Sequence, residues 1–320
     1  MNGKGSRSTV KKRLFAPLLT LLMTFNMLLA MIPAFAAGNS ARAQALAYDR
    51  HSIGLTGVSN ARELGGYRTK DGRTVKFGKL LRSGELAGMT AADKKKLTKK
   101  YHVVKIVDFR TDLEISDDRA DPKLPGAEYR NYPYSPFPYL LRTAEGLRLG
   151  NDLMYDLITL DRDGDLVGDY YRANYRTMIL SEEGIAMFRG FFRDLLDADG
   201  GAVLCHCSRG KDRTGNAMAL LLAVLGVDRR TIIEDYCLTN DYYSDEIDDL
   251  YERALSITGN KVIAEDVSSA VGTRAGWIRE TFKTIETHYG SVENYLKQEI
   301  GVSSKDIRTL QKYYLTPATK

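Results

Sequence analysis

"AVLCHCSRGKDRTGN", residues 202–216, passes from a short apolar run into a stretch crowded with thiols, glycines and charge. "AVLCHC" suits a buried strand ending at His206. "TGNAMALLLAVLGV", directly after the charged stretch, is apolar nearly all round, as expected of a helix buried against a sheet. A loop from Cys207 to Asp212 is expected between them, with the helix starting at about Arg213. In an open α/β sheet a loop in this position lies beyond the carboxyl end of a strand, where helix N-terminal N–H groups can take an anion. Gly210 and Gly215 let the backbone curl tightly around such an anion. A cysteine beside Lys211 and Arg213 is pushed toward its reactive thiolate form.

Outward from this unit the chain alternates strand and helix signals. "TAADKKKLTKKY" opens with Thr90 and Asp93 at capping-box spacing and continues as a charged surface helix. "HVVKIVDF" follows as a second buried strand. "SEEGIAMFRGFFRDLLDADGG" has a Ser cap, early acids, helical apolar spacing and a Gly stop. From "DRRTIIEDYCLTN" to "SSKDIRTLQKYYL" the pattern is helical. The expected fold class is therefore α/β, a central mostly parallel sheet flanked by helices, with a helical C-terminal half. No repeat or linker divides residues 51–316, which read as a single domain. Within it, 133–170 mixes Pro, Tyr and Leu with short amphipathic pieces and reads as a lid or insertion. Its "DRDGD" is a solvated acidic turn, because Leu166 stands where a calcium loop of the EF-hand kind needs glycine.

Residues 1–37 read as a signal peptide. Lys4, Arg7, Lys11, Lys12 and Arg13 precede an uncharged apolar run, and Ala34-Phe35-Ala36 supplies a cleavage pattern. The chain is thus expected to be secreted, with 38–50 a flexible start to the mature protein and no stable membrane insertion after cleavage. An uncleaved membrane anchor is the alternative. The formal net charge is +5, but those five basic residues account for all of it. The remainder is balanced, which gives no support for nucleic-acid binding. In an oxidising milieu, three cysteines leave at least one thiol unpaired. Cys237 reads as a buried helical thiol, and a reversible bond of Cys207 with Cys205 or Cys237 is the alternative.

Cys207 and Arg213 stand at C-x5-R spacing, followed by Thr214 and Gly215. The string "HCSRGKDRTG" resembles the signature loop of the cysteine-dependent protein tyrosine phosphatases, most of all their bacterial HCxxGKDRTG group. "NARELGGY" (60–67), "LLRSGEL", "VDFRTDLE", "IIEDYCLTN" and "YGSVENYL" are similar to further landmarks of that group, in the same order. The resemblance implies a tyrosine phosphatase-like fold and hydrolysis of phosphate monoesters through a cysteinyl-phosphate. Phosphotyrosine would be a substrate, with phosphoserine, phosphothreonine or phosphoinositides also in range. A phytase-like action on inositol polyphosphates is the alternative. In this reading Cys207 is the nucleophile, and Arg213 and the loop amides stabilise the transferring phosphoryl group. Asp212 and Asp108, in that order, are the carboxylates expected to supply the proton. His206, Ser208, Arg209, Gly210, Lys211, Thr214 and Gly215 shape the substrate pocket: Lys211 as a cation at its rim, Thr214 as a donor to the sulfur, His206 bracing the backbone. Asp112 and Glu114 are expected on the surface. No metal or cofactor is implied, and the partner is a phosphorylated protein or phosphoinositide. The sequence leaves the oligomeric state open.

Overall fold

The computed structural model describes residues 51–115, 118–135 and 166–318. Apart from Leu166 these belong to one compact unit, within Ala36–Pro136 and Val167–Lys320. The expected signal peptide, the 38–50 segment, "DRDGD" and most of the 133–170 insertion lie outside the described residues. No helix among the described residues is long and apolar enough to cross a membrane.

Among the described residues five strands form one sheet: β1 (Arg62–Glu63), β2 (Leu80–Ser83), β3 (Val103–Asp108), β4 (Glu128–Asn131) and β5 (Ala202–His206), in the order β1-β2-β5-β3-β4. Only the β1–β2 pair is antiparallel. β5 is central, and both neighbours run parallel to it, so its carboxyl end opens beside those of β2 and β3. The register sets Ser83 and Asp108 directly alongside His206.

The helices are α1 (Ala91–Lys99), α2 (Leu166–Leu180), α3 (Glu182–Asp197), α4 (Asp212–Leu225), α5 (Arg229–Cys237), α6 (Thr239–Tyr242), α7 (Ser244–Thr258), α8 (Lys261–Ser269), α9 (Ala275–Tyr289), α10 (Val292–Tyr295) and α11 (Ser304–Tyr314), with a π-helical turn at Leu296–Ile300. The caps explain several boundaries. Thr90 and Asp93 form the full capping box of α1, and Ser181 Oγ accepts the Gly184 N–H at the start of α3. Gly226, at φ +92°, closes α4 in the left-handed conformation.

The sheet is covered on both faces, which is why its inner strands read as nearly continuous apolar runs. Leu80, Val107, Val203 and Cys205 face one core with α3, α4 and α9, whereas Leu81, Ile106 and Leu204 face a smaller core with Leu97 of α1. Lys105 is the polar exception within the body of β3, which ends on a second buried charge, Asp108. The buried Lys105 ammonium joins Glu128 of β4, at 2.9 Å, to Asp194 of α3, at 3.0 Å.

Candidate active site

The loop after β5 is held in shape from beneath. Gly210 sits at φ +64°, and a Cβ there would lie 2.1 Å from the Ser83 carbonyl oxygen, so no side chain fits. Its carbonyl accepts from Arg82 Nη2 at 2.7 Å. Arg82 is fully buried on β2, and its Nη1 meets Asp235 Oδ2 at 2.6 Å. The same carboxylate receives Arg62 Nε at 3.2 Å and the Tyr67 hydroxyl at 3.1 Å. The flanking guanidinium groups hold the Asp235 carboxyl below the usual range although burial alone would raise it. Asn60 Nδ2 adds a bond to the Arg209 carbonyl at 2.9 Å, and the Glu85 N–H one to the Ser208 carbonyl at 3.1 Å. Residues from three of the sequence landmarks thus converge on one loop.

α4 begins at Asp212 with Lys211 as its cap residue and no capping side chain, so its first N–H groups have no intrahelical partner. Cys207, at the loop's start, is 2 % exposed. Its charge is among those felt by both Arg213 and Lys211, so thiol and cations share one neighbourhood. Cys205, Cys207 and Cys237 are all free thiols. Burial first of all drives the Cys205 thiol well above its ordinary value, the opposite of an activated group. Thr214 Oγ1 is buried, lacks a nitrogen or oxygen partner and lies against Cys205. Cys237 ends α5 half-buried, rather than fully buried as its sequence suggests.

Arg213 is buried and held on one side. Nη1 donates to Glu114 Oε2 at 2.7 Å and to the carbonyls of Phe109 and Tyr134, each at 3.0 Å, while Nη2 meets Glu114 Oε1 at 2.7 Å. Nε takes no part in these bonds, which leaves it available to an oxyanion. Glu114 is therefore no surface residue. The turn from Thr111 folds it inward, the Thr111 N–H donating to Oε2 at 2.9 Å and Ser208 Oγ donating to Oε1 at 2.6 Å. Burial would raise its carboxyl, but Arg213 outweighs that and holds it at about 2. The pair contributes stability fully above pH 4.5, the ordinary carboxyl value, and loses it as pH falls toward 2. Glu114→Gln should remove that acid-side loss from a thermal-melt titration. It should also lower kcat/KM on an aryl phosphate by about 10- to 100-fold, since Arg213 loses its fixed direction.

Of the two expected proton donors, Asp212 is more open than Asp108. Its side chain is 24 % exposed, with Oδ1 accepting the Tyr175 hydroxyl at 2.6 Å and Oδ2 lying 3.9 Å from Lys211 Nζ. Asp108 ends β3 at the expected sheet edge but is fully buried. Both of its oxygens accept from Arg110, and Oδ2 also takes the Tyr129 hydroxyl at 2.8 Å. This is the geometry of a buried, loop-bracing ion pair rather than of an open proton donor. His206 points to the same side, with Nε2 at 2.8 Å from Asp121 Oδ2 and Nδ1 at 3.7 Å from Asp108 Oδ1. Burial would lower its pKa, but the two carboxylates outweigh this and raise it. Asp108, Asp121 and His206 bring donor atoms within 4.8 Å of one another, a spacing compatible with a metal. Arg110 already supplies cationic charge to that cluster, donating to Asp108 at 2.8 Å and Asp121 at 2.7 Å.

Lys211 corrects its expected place. It is 1 % exposed instead of at a wet rim. Nζ donates to the Ala270 carbonyl at 2.9 Å and the Tyr171 hydroxyl at 3.1 Å, above the stacked rings of Tyr171 and Trp277. Burial lowers its pKa to about 8. Arg209 pairs with Glu246, and Gly215 packs so closely on Tyr236 that a Cβ would come within 2.9 Å of the ring.

Residues 53–316 match the model of the tyrosine phosphatase family. The chain belongs to that family. It is a phosphoric monoester hydrolase of the protein tyrosine phosphatase type. A Cupriavidus necator protein assigned as a tyrosine-protein phosphatase is 31 % identical over 296 residues, covering 89 % of this chain and 96 % of that one. A triple specificity protein phosphatase of Mycobacterium tuberculosis, PtpB, is 33 % identical over 124 residues, covering 36 % and 44 %. A tyrosine-protein phosphatase of Nostoc commune is 33 % identical over 126 residues, covering 39 % and 42 %. In this phosphatase, sequence reasoning named the loop itself but missed Glu114, Arg82, Asp235 and Tyr175. The first three stand inside quoted landmarks, where Glu114 alone was given a place, on the surface.

Proposed function

We propose that this phosphatase is exported and hydrolyses phosphotyrosine and related phosphate monoesters through a phosphocysteine at Cys207. The observation that carries the reading is the C-x5-R loop ahead of an uncapped helix N-terminus, with Arg213 locked by Glu114 and its Nε unspent. Cys207 Sγ attacks phosphorus, forming the S–P bond as the P–O bond to the leaving group breaks. Asp212 gives that oxygen its proton. The resulting carboxylate then takes a proton from water, which attacks phosphorus and breaks the S–P bond, releasing inorganic phosphate and restoring the thiolate. Loop N–H groups and Arg213 stabilise the equatorial oxygens throughout. His206, Ser208, Arg209, Gly210, Lys211, Thr214 and Gly215 shape the pocket that holds them. The domain in question is 51–316, with 133–170 proposed as its lid.

Asp212 is preferred to Asp108 as the acid because it is partly open at the loop, whereas Asp108 is fully buried and spent on Arg110. The test is a pH–rate comparison of the two Asn variants on p-nitrophenyl phosphate and a phosphotyrosine peptide. Asp212→Asn is expected to lose the basic limb of the profile, most clearly with the peptide, whose leaving group needs the proton more. Loss of that limb in Asp108→Asn alone would reverse the assignment. Turnover of phytate in preference to every other phosphate ester would instead favour the inositol-polyphosphate reading.

A further inference from the structure

We propose that Glu246 sets the substrate class of this site, by holding Arg209 so that the loop accepts a lone phosphate and discriminates against a neighbouring second one. The inference rests on the phosphatase reading above. A site that favours two phosphates needs a cation beyond the one gripping the transferred group, with charge not already balanced. The loop carries three cations. Arg213 belongs to the transferred group. Lys211 is tied to the Ala270 carbonyl and to Tyr171 within an aromatic enclosure, and reaching outward would break both bonds.

Arg209 remains. Its side chain is 22 % exposed, and Nη1 meets both oxygens of Glu246, at 2.9 and 3.0 Å. The guanidinium lies 5.5 Å from the centre of the Tyr243 ring, and the Tyr243 hydroxyl donates to the Arg209 carbonyl at 3.1 Å. The Tyr243 hydroxyl thereby closes on the loop two residues after Cys207, so the ion pair stands beside the signature loop. A second phosphate arriving there meets a guanidinium whose Nη1 is already spent on Glu246, and it must sit beside that like charge. Glu246 lies on the first turn of α7, and Asp245 next to it still favours that helix end if Glu246 is neutralised. Glu246 acts through Arg209 and is a positioning residue.

The experiment measures competitive inhibition of p-nitrophenyl phosphate hydrolysis by inositol 3-phosphate and by inositol 3,5-bisphosphate, using the purified full chain. In Glu246→Gln the bisphosphate Ki should fall about tenfold, the size of one released charge-assisted contact, and the gain should vanish at high salt. The monophosphate Ki should change by less than about twofold on the same grounds. Glu246→Asp, which keeps the charge, should keep the discrimination, and Glu246→Gln combined with Arg209→Gln should lose the gain. Equal shifts of both constants, or a bisphosphate already favoured by the wild type, would overturn the proposal. If p-nitrophenyl phosphate is not turned over at all, the phosphatase reading fails. Calorimetric binding of the same two compounds then still decides the role of Glu246.

Discussion

Cys207→Ser should abolish turnover of p-nitrophenyl phosphate, phosphotyrosine peptides and phosphoinositides together, by on the order of ten-thousand-fold, while leaving the melting temperature nearly unchanged. The substitution keeps size and shape at a buried position but replaces the only loop thiol beside Arg213 and Lys211 with a hydroxyl that stays protonated at neutral pH. Cys205→Ser is the control. Its thiol is driven toward the protonated form and faces the core, so the same change should cost stability and spare the chemistry. Steady-state kinetics beside thermal melts of the two variants read out the difference. Equal, slow hydrolysis by wild type and Cys207→Ser would end the phosphocysteine mechanism.

The second large effect is expected far from the thiol in sequence. Asp235→Ala would leave two fully buried guanidinium groups, Arg62 and Arg82, without their carboxylate. Breaking a buried network on one side costs about 3–5 kcal/mol, which for a domain of this size corresponds to a drop of about 10 °C in melting temperature. Activity should fall as well, because Arg82 also fixes the Gly210 carbonyl. Asp235→Asn, retaining acceptors without the charge, should lie between. Differential scanning calorimetry on the two variants checks the order, and an unchanged Asp235→Ala melt would show that the network carries no stability.

The sequence was most legible where local chemistry decides the structure. The β5–loop–α4 unit, the Thr90 capping box and the Ser181 cap all follow from residues within a few positions of one another, and each is found where expected. β2 and β4 were illegible for opposite reasons. β2 carries Arg82 inward to a partner 153 positions away, so its charge masks a buried strand. β4 is an exposed edge, where alternation is not enforced by burial. The helical C-terminal half is found as expected, but divided into short helices, with Gly290 closing α9. At the site, Lys211 was misplaced because a lysine near glycines reads as solvated. Its enclosure depends on Tyr171, Trp277 and Ala270, none of which is near it in the chain. Glu114 was misjudged in the same way, as its partner lies 99 positions on.

The join between Arg82 and the Gly210 carbonyl bears on how the molecule reaches its working form. β2 and the signature loop are separated by 128 positions, so their meeting closes a long loop of chain. α4 can coil from its own residues, but the curl ahead of it has nothing to curl around until β2 and Asp235 have docked. Recovery of catalysis during refolding should therefore trail the return of helical signal, which stopped-flow circular dichroism beside activity sampling would read.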